Sequence, residues 1–159
     1  MSKSTNVEIP GVIIKSVSKF ADQRGWLMEC FRDDELPKEI QPVMSYVSMT
    51  KPGIVRGPHE HVTQTDYFCF LGPSTFKITL WDNRKDSPAF GQRMIFTGGE
   101  DNPIIVIVPP RVVHAYQNVG KTDGLVLNYP NVLFAGKGKK EKVDEIRHEH
   151  DSDSPFKVE

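Results

Sequence analysis

Short apolar runs broken by glycine, proline, asparagine and aspartate repeat along the whole chain, the rhythm of an all-β sandwich or barrel with few helices. Segments with strand character are residues 12–17, 26–31, 43–49, 54–61, 67–71, 76–81, 92–96, 104–108, 114–118 and 125–129. The run 104–108 is apolar throughout and stops at Pro109-Pro110, which predicts a buried strand ending in a turn. Asp33-Asp34-Glu35-Leu36 has an acidic start but is followed by Pro37, so it predicts one short helical turn at most. No repeat or linker divides the sequence, and residues 1–159 are expected to form a single domain.

A domain of this length buries roughly 70% of its unfolded surface, enough for a core that needs no disulfide or structural metal. Cys30 and Cys69 sit inside apolar runs without metal or redox spacing and are expected to be free thiols, as suits a reducing compartment. The formal net charge of −1 argues against nucleic-acid or membrane-surface binding through bulk electrostatics and leaves room for a local anion site. The N-terminus lacks an apolar signal core, and no apolar stretch approaches the ~20 residues that span a bilayer, so a cytoplasmic protein is expected. From Gly136 onward, Lys137, Lys139, Lys140 and Lys142 followed by Asp144, Glu145, Glu149 and Asp151 read as a solvated surface segment.

The chemistry concentrates in two places. In Arg56-Gly57-Pro58-His59-Glu60-His61 the two histidines lie two positions apart on an extended strand and so share a face, to which Asp66 can return after a turn. His114 follows the buried run and its Pro-Pro turn. Imidazoles plus one carboxylate are the ligand types of a divalent metal site, which gives His59, His61, Asp66 and His114 as a candidate set. Without a metal, the same residues read as Asp66 paired with protonated His61 or with Arg56, and His114 as a hydrogen-bonded pocket wall. Trp26, Tyr46, Tyr67, Trp81 and Tyr116 are able to stack a base or a sugar face, or to fill the core.

The order Gly53, His59-x-His61, Asp66, Gly72, then Pro109-x-Arg111-x-x-His114-x-x-x-Asn118, resembles the paired motifs of the cupin superfamily, which implies a double-stranded β-helix (jelly-roll) barrel. A narrower resemblance covers most of the chain. Phe20-x-Asp22-x-Arg24-Gly25, Glu29, Phe31, Gly53-Ile54-Val55-Arg56-Gly57-Pro58-His59, Asp82-x-Arg84-x-x-Ser87-Pro88-x-Phe90-Gly91 and Val113-His114-Ala115 are similar to the dTDP-4-dehydrorhamnose 3,5-epimerase family. That resemblance implies a metal-free isomerase that binds a nucleotide-linked 4-keto sugar in the barrel and dimerises through its sheets. It implies His59 as base, Tyr129 as acid, and Arg24, Glu29, Arg56 and His114 as substrate-binding residues. The N-terminal segment 7–12 would then cross to a partner in a homodimer.

Four features depart from the family pattern, one being that Met44 and Tyr46 stand where the family has a polar glutamine and asparagine that help read the nucleotide. Asp66 stands where the family has a lysine. The acid's slot falls on Asn128 or Tyr129, and a one-residue slip reverses the face of a strand side chain. The family's aspartate partner for the histidine belongs to a C-terminal extension beyond Glu159. Three function classes follow: an isomerase of keto-sugar nucleotides with no required cofactor, a metal-dependent cupin using the four-residue set, or a sugar-nucleotide-binding cupin without catalysis.

Overall fold

The computed structural model describes residues 8–159, which build two antiparallel five-stranded sheets and a small hairpin. One sheet comprises, in spatial order, β1 (Ile13–Ser16), β9 (Ile104–Val108), β6 (Asp66–Phe70), β11 (Gly124–Asn128) and β4 (Tyr46–Thr50). The other comprises β12 (Ile146–Arg147), β5 (Val55–Glu60), β10 (Val112–Asn118), β7 (Thr75–Asp82) and β8 (Arg93–Gly99). β2 (Lys19–Asp22) and β3 (Gly25–Met28) form the hairpin. This is the expected jelly-roll barrel, with 3-10 turns at Asp33–Glu35 and Lys38–Ile40 in place of a longer helix.

Alternation along the strands sorts the side chains. Ile104, Val106 and Val108 of β9 pack between the sheets with Phe68 and Phe70 of β6 and Phe76, Ile78 and Leu80 of β7. Ile105 and Ile107 face outward but are also buried, in a second cluster with Tyr67 and Cys69 against Met28, Cys30, Leu36 and Ile40. Burial on both faces explains why this run is apolar at every position. Burying one such side chain contributes about 1.5–3 kcal/mol, so the doubly covered β6–β9 pair is the firmest part of the fold.

The distinctive Asp82–Gly91 block is scaffolding. The fully buried Asp82 carboxylate accepts hydrogen bonds from the Arg84 backbone N–H, from its guanidinium at 2.8 Å and from Ser87 Oγ at 2.5 Å. Arg84 also donates to the Pro10 carbonyl, tying this turn to the N-terminal segment.

Two expectations change here. Of segment 7–12, Val7 lies outside the described residues, while Ile9 is buried in this subunit's own core and β1 pairs with this subunit's own β9. The charged tail is not a solvated segment throughout. β12 adds to the edge of β5, Phe156 packs on Trp81, and Ser154 is buried.

Candidate active site

β5 carries the key residues, and strict alternation would send Arg56 and His59, three positions apart, to opposite faces. A bulge resolves this. Opposite β10, His114 pairs with His59 and Tyr116 with Arg56, so three steps on β5 match two on its partner. The extra residue lies in Gly57-Pro58, where Gly57 has φ +83° and a Cβ would stand 2.5 Å from the His114 carbonyl oxygen. Arg56 and His59 therefore line one cavity of about 370 Å³, together with Tyr46, Ser48, Phe68 and Tyr116. Arg56 is held at its mouth, donating to Thr50 Oγ1 at 2.9 Å and to the Met49 carbonyl at 2.7 Å.

His59, His61 and His114 come together, with ligand atoms within 4.8 Å of one another. Asp66 joins them, its Oδ2 lying 3.2 Å from His61 Nε2 and 3.3 Å from His114 Nε2. The far side of each partner is anchored. His61 Nδ1 meets the Asp144 carbonyl, His114 Nδ1 donates to the Val112 carbonyl at 3.1 Å, and Asp66 Oδ1 accepts from Gln64 Nε2 and Asn128 Nδ2. Among the described residues, buried His59 Nδ1 and His114 Nε2 have no hydrogen-bond partner.

Electrostatics divides the histidines into two kinds. Burial first, then the neighbouring His114 and His61, pushes His59 well below the ordinary imidazole range and keeps it a neutral base. Burial likewise lowers His114. For His61 burial also opposes the charge, but the hydrogen bond and charge of Asp66 outweigh it and raise the group to about 9. Asp66 is itself lowered to about 2, its burial outweighed by His61 and by charge on His114. His61 is thus the charged imidazole of the set, paired with the Asp66 carboxylate.

The tail supplies what sequence reasoning missed. Glu145 Oε1 stands 3.9 Å from His59 Nε2 and Glu149 Oε1 3.9 Å from Nδ1, both carboxylates largely buried. His59 therefore has two carboxylate neighbours supplied by the C-terminal segment. His148 bonds buried Glu60 at 2.9 Å, and Asp144 accepts from the backbone N–H groups of Val62, Thr63 and Gln64. The signal was the alternation of acids and histidines between Asp144 and His150, which a wholly solvated segment does not require.

Other candidates fall elsewhere. Tyr129 lies in the outer cluster beside Tyr67, Cys30 and Cys69, so it does not face His59 and the expectation of an acid there is corrected. Asn128 holds the inward position, because β11 alternates Val126 and Asn128 in and Leu127 out. Arg24 is exposed on the β2–β3 hairpin, paired with Asp22 at 2.5 Å, and Glu29 lines a separate outer cleft with Arg32 and Lys15. Within one subunit, neither of these two reaches the His59 cavity.

A second, larger cleft of about 810 Å³ adjoins the first and shares Tyr46, Glu145 and Arg147 with it.

Comparison with known proteins gives the arrangement a context. The family model for dTDP-4-dehydrorhamnose 3,5-epimerase matches residues 6–135. The chain is 40% identical over 128 residues to the probable low-salt glycan biosynthesis epimerase Agl13 of Haloferax volcanii, covering 79% of this chain and 81% of that one. It is 32% identical over 126 residues to the spore coat polysaccharide biosynthesis protein SpsL of Bacillus subtilis, with coverage of 79% and 82%. A dTDP sugar isomerase from Desulfovibrio desulfuricans superposes with a TM-score of 0.81 at 24% identity, over 94% of this chain and 91% of that one. A double mutant of ChmJ, a 3'-monoepimerase from Streptomyces bikiniensis crystallised with dTDP, superposes with a TM-score of 0.76 at 20% identity, over 96% and 77%.

Proposed function

The chain belongs to the dTDP-4-dehydrorhamnose 3,5-epimerase family, an isomerase family, and on that premise we propose that it inverts a ring carbon of a 4-keto deoxysugar nucleotide, with His59 removing the proton next to the carbonyl. The observation that carries this reading is His59 itself, half-buried and kept neutral in a polar cavity that it lines together with an anchored arginine. Carboxylates Glu145 and Glu149 beside the ring stabilise the imidazolium that forms when it accepts a proton. The Arg56 guanidinium fork suits the diphosphate oxygens, and the larger cleft offers room for the nucleoside. The test is incorporation of solvent deuterium into a panel of 4-keto deoxysugar nucleotides, read by mass spectrometry. Binding without exchange in any of them, with and without added metal, replaces this reading with a non-catalytic binding module.

A second reading has its own support. Tetrahedral coordination at about 2.0–2.1 Å puts neighbouring ligand atoms roughly 3.3 Å apart, close to the two Asp66–histidine separations, and the anchored far sides point Nε2 of His61, Nε2 of His114 and Asp66 Oδ2 toward one another. His59 completes the histidine set, with one of its buried nitrogens unpartnered among the described residues. A divalent ion bound there would polarise a substrate carbonyl. Protein purified without chelator would carry close to one equivalent, lost in His61→Ala. A thermal midpoint unmoved by zinc, iron or manganese removes this reading, because a ligand bound only by the folded state must raise it.

We further propose a cytoplasmic homodimer. No helix among the described residues is long and apolar enough to cross a membrane. The exposed apolar side chains Val47 and Met49 on β4 and Leu125 beside them support a subunit contact. Neither nucleic acid nor membrane is expected as a partner.

A further inference from the structure

Inverting a carbon requires a base on one face and a proton donor on the other. His59 stands on β5, in one sheet, and β4 belongs to the sheet across the cavity. We propose that Tyr46 on β4 is the proton donor of this enzyme, in the role expected of Tyr129; the inference rests on the isomerase reading above.

The chain has four tyrosines, and geometry separates them. Tyr67 and Tyr129 belong to the outer cluster, the Tyr67 hydroxyl donating to the Cys30 carbonyl at 2.8 Å. Tyr116 lines the cavity but sits on β10 directly opposite Arg56, on the wall that carries His59, and its hydroxyl shares a hydrogen bond with Ser48 at 3.1 Å. Tyr46 lines the cavity from the opposing wall. Its neighbours on the same face of β4, Ser48 and Thr50, make inward hydrogen bonds to Tyr116 and Arg56, whereas Val47 and Met49 point out.

Hydrogen bonding sets the direction of the proton. Asn128 Oδ1 accepts from the Tyr67 backbone N–H at 3.0 Å, which fixes the amide's orientation and turns Nδ2 toward Tyr46 Oη at 2.8 Å and Asp66 Oδ1 at 2.7 Å. The tyrosine oxygen is therefore an acceptor from Asn128, and among the described residues its own O–H has no acceptor. That hydrogen is available to a substrate carbon. In the step, His59 takes the C–H proton and becomes imidazolium, leaving an enolate. Tyr46 then gives its O–H proton to the opposite face, and the phenolate left behind keeps the Asn128 N–H bond. Solvent removes a proton from His59 and returns one to Tyr46, restoring both groups. Asn128 at the family's acid position is thus the positioning residue for an acid on the next strand.

The experiment compares Tyr46→Phe and Tyr129→Phe with wild type in deuterated buffer, scoring exchange by mass spectrometry and configuration by NMR, with dTDP affinity measured by calorimetry. Tyr46→Phe is expected to bind dTDP within about threefold of wild type and to incorporate deuterium with retained configuration, while inverted product falls roughly 10²–10⁴-fold. Retained exchange also shows that the variant is folded. Tyr129→Phe should invert within about twofold of wild type. Inversion by Tyr46→Phe at a near-wild-type rate overturns the assignment, as does joint loss of exchange and binding. Absence of exchange in wild type is a different failure, since it removes the isomerase reading and this step with it.

Discussion

The two sheets that meet at the cavity finish their edges in opposite ways. β5, which carries His59, is covered by β12 of the same chain, with Ile146 paired to Glu60 and Arg147 to His59. β4, which carries Tyr46, ends its sheet with no further strand among the described residues, and Val47 and Met49 on its outer face are 60% and 45% exposed. An unpaired apolar edge invites another chain, whereas a covered one excludes it. The wall of the proposed base is thus completed by local chain and shielded, and the wall of the proposed acid keeps an open apolar edge among the described residues.

The largest expected effect breaks the shielded wall. His59→Ala should lower turnover on the order of 10²–10⁴-fold with dTDP affinity nearly unchanged, because a general base acts in the transition state and not in ground-state binding. Single-turnover kinetics beside calorimetry separates the two; loss of affinity in step with rate would make His59 a binding residue instead. Arg56→Ala should do the reverse, weakening dTDP by roughly 1.5–3 kcal/mol, about 10- to 150-fold, as loss of a charge-assisted contact does.

The C-terminal strap, residues 144–150, sharpens the comparison further. Glu145→Gln with Glu149→Gln removes two charges near 4 Å from the His59 ring. Each such contact is worth about 1 kcal/mol in water, partly offset here because Arg147 pairs with both carboxylates, so turnover should fall by up to roughly 30-fold at unchanged affinity. An unaltered rate would make the strap a lid only. On the open wall, Val47→Lys with Met49→Lys should convert a dimer to a monomer in light scattering, and a wild-type monomer at micromolar concentration would leave that edge without its proposed partner.

The smallest effect concerns the scaffold. Asp82 is lowered from 3.8, the opposing cost of burial being outweighed by hydrogen bonds from Arg84 and Ser87. A depressed carboxylate stabilises the fold above its unfolded value and loses that contribution as the pH falls from about 3.8 through its folded value. Asp82→Asn should therefore lower the thermal midpoint at neutral pH, with the gap from wild type narrowing below about pH 4. A gap constant across that range would show that shape, not charge, matters there.

Much of this architecture can be read from residues. β9 is legible to the residue, since a run buried on both faces is apolar at every position and Pro109 stops it. His59, His61, Asp66 and His114 are legible as a set because a period of two and the paired motifs bring them together. β2 is not, because Lys19–Asp22 is exposed throughout and alternates nothing. Which of Asn128 and Tyr129 faces inward is not legible, because β11 ends at Asn128 with Tyr129 next to it and one step of register decides between them. The strap hides for another reason. Glu145, Glu149 and His148 are charged or polar, as surface residues are, and their partners His59 and Glu60 lie more than eighty positions earlier in sequence.

The three-against-two match at Gly57-Pro58 leaves β5 no slack in length. An insertion or deletion between Arg56 and His59 would uncouple the proposed diphosphate anchor from the proposed base and turn one of them outward. A length change here is expected to abolish the shared cavity in one step. Among homologues that keep the activity, the spacing between these two residues is therefore expected to be invariant even where the residues between them differ.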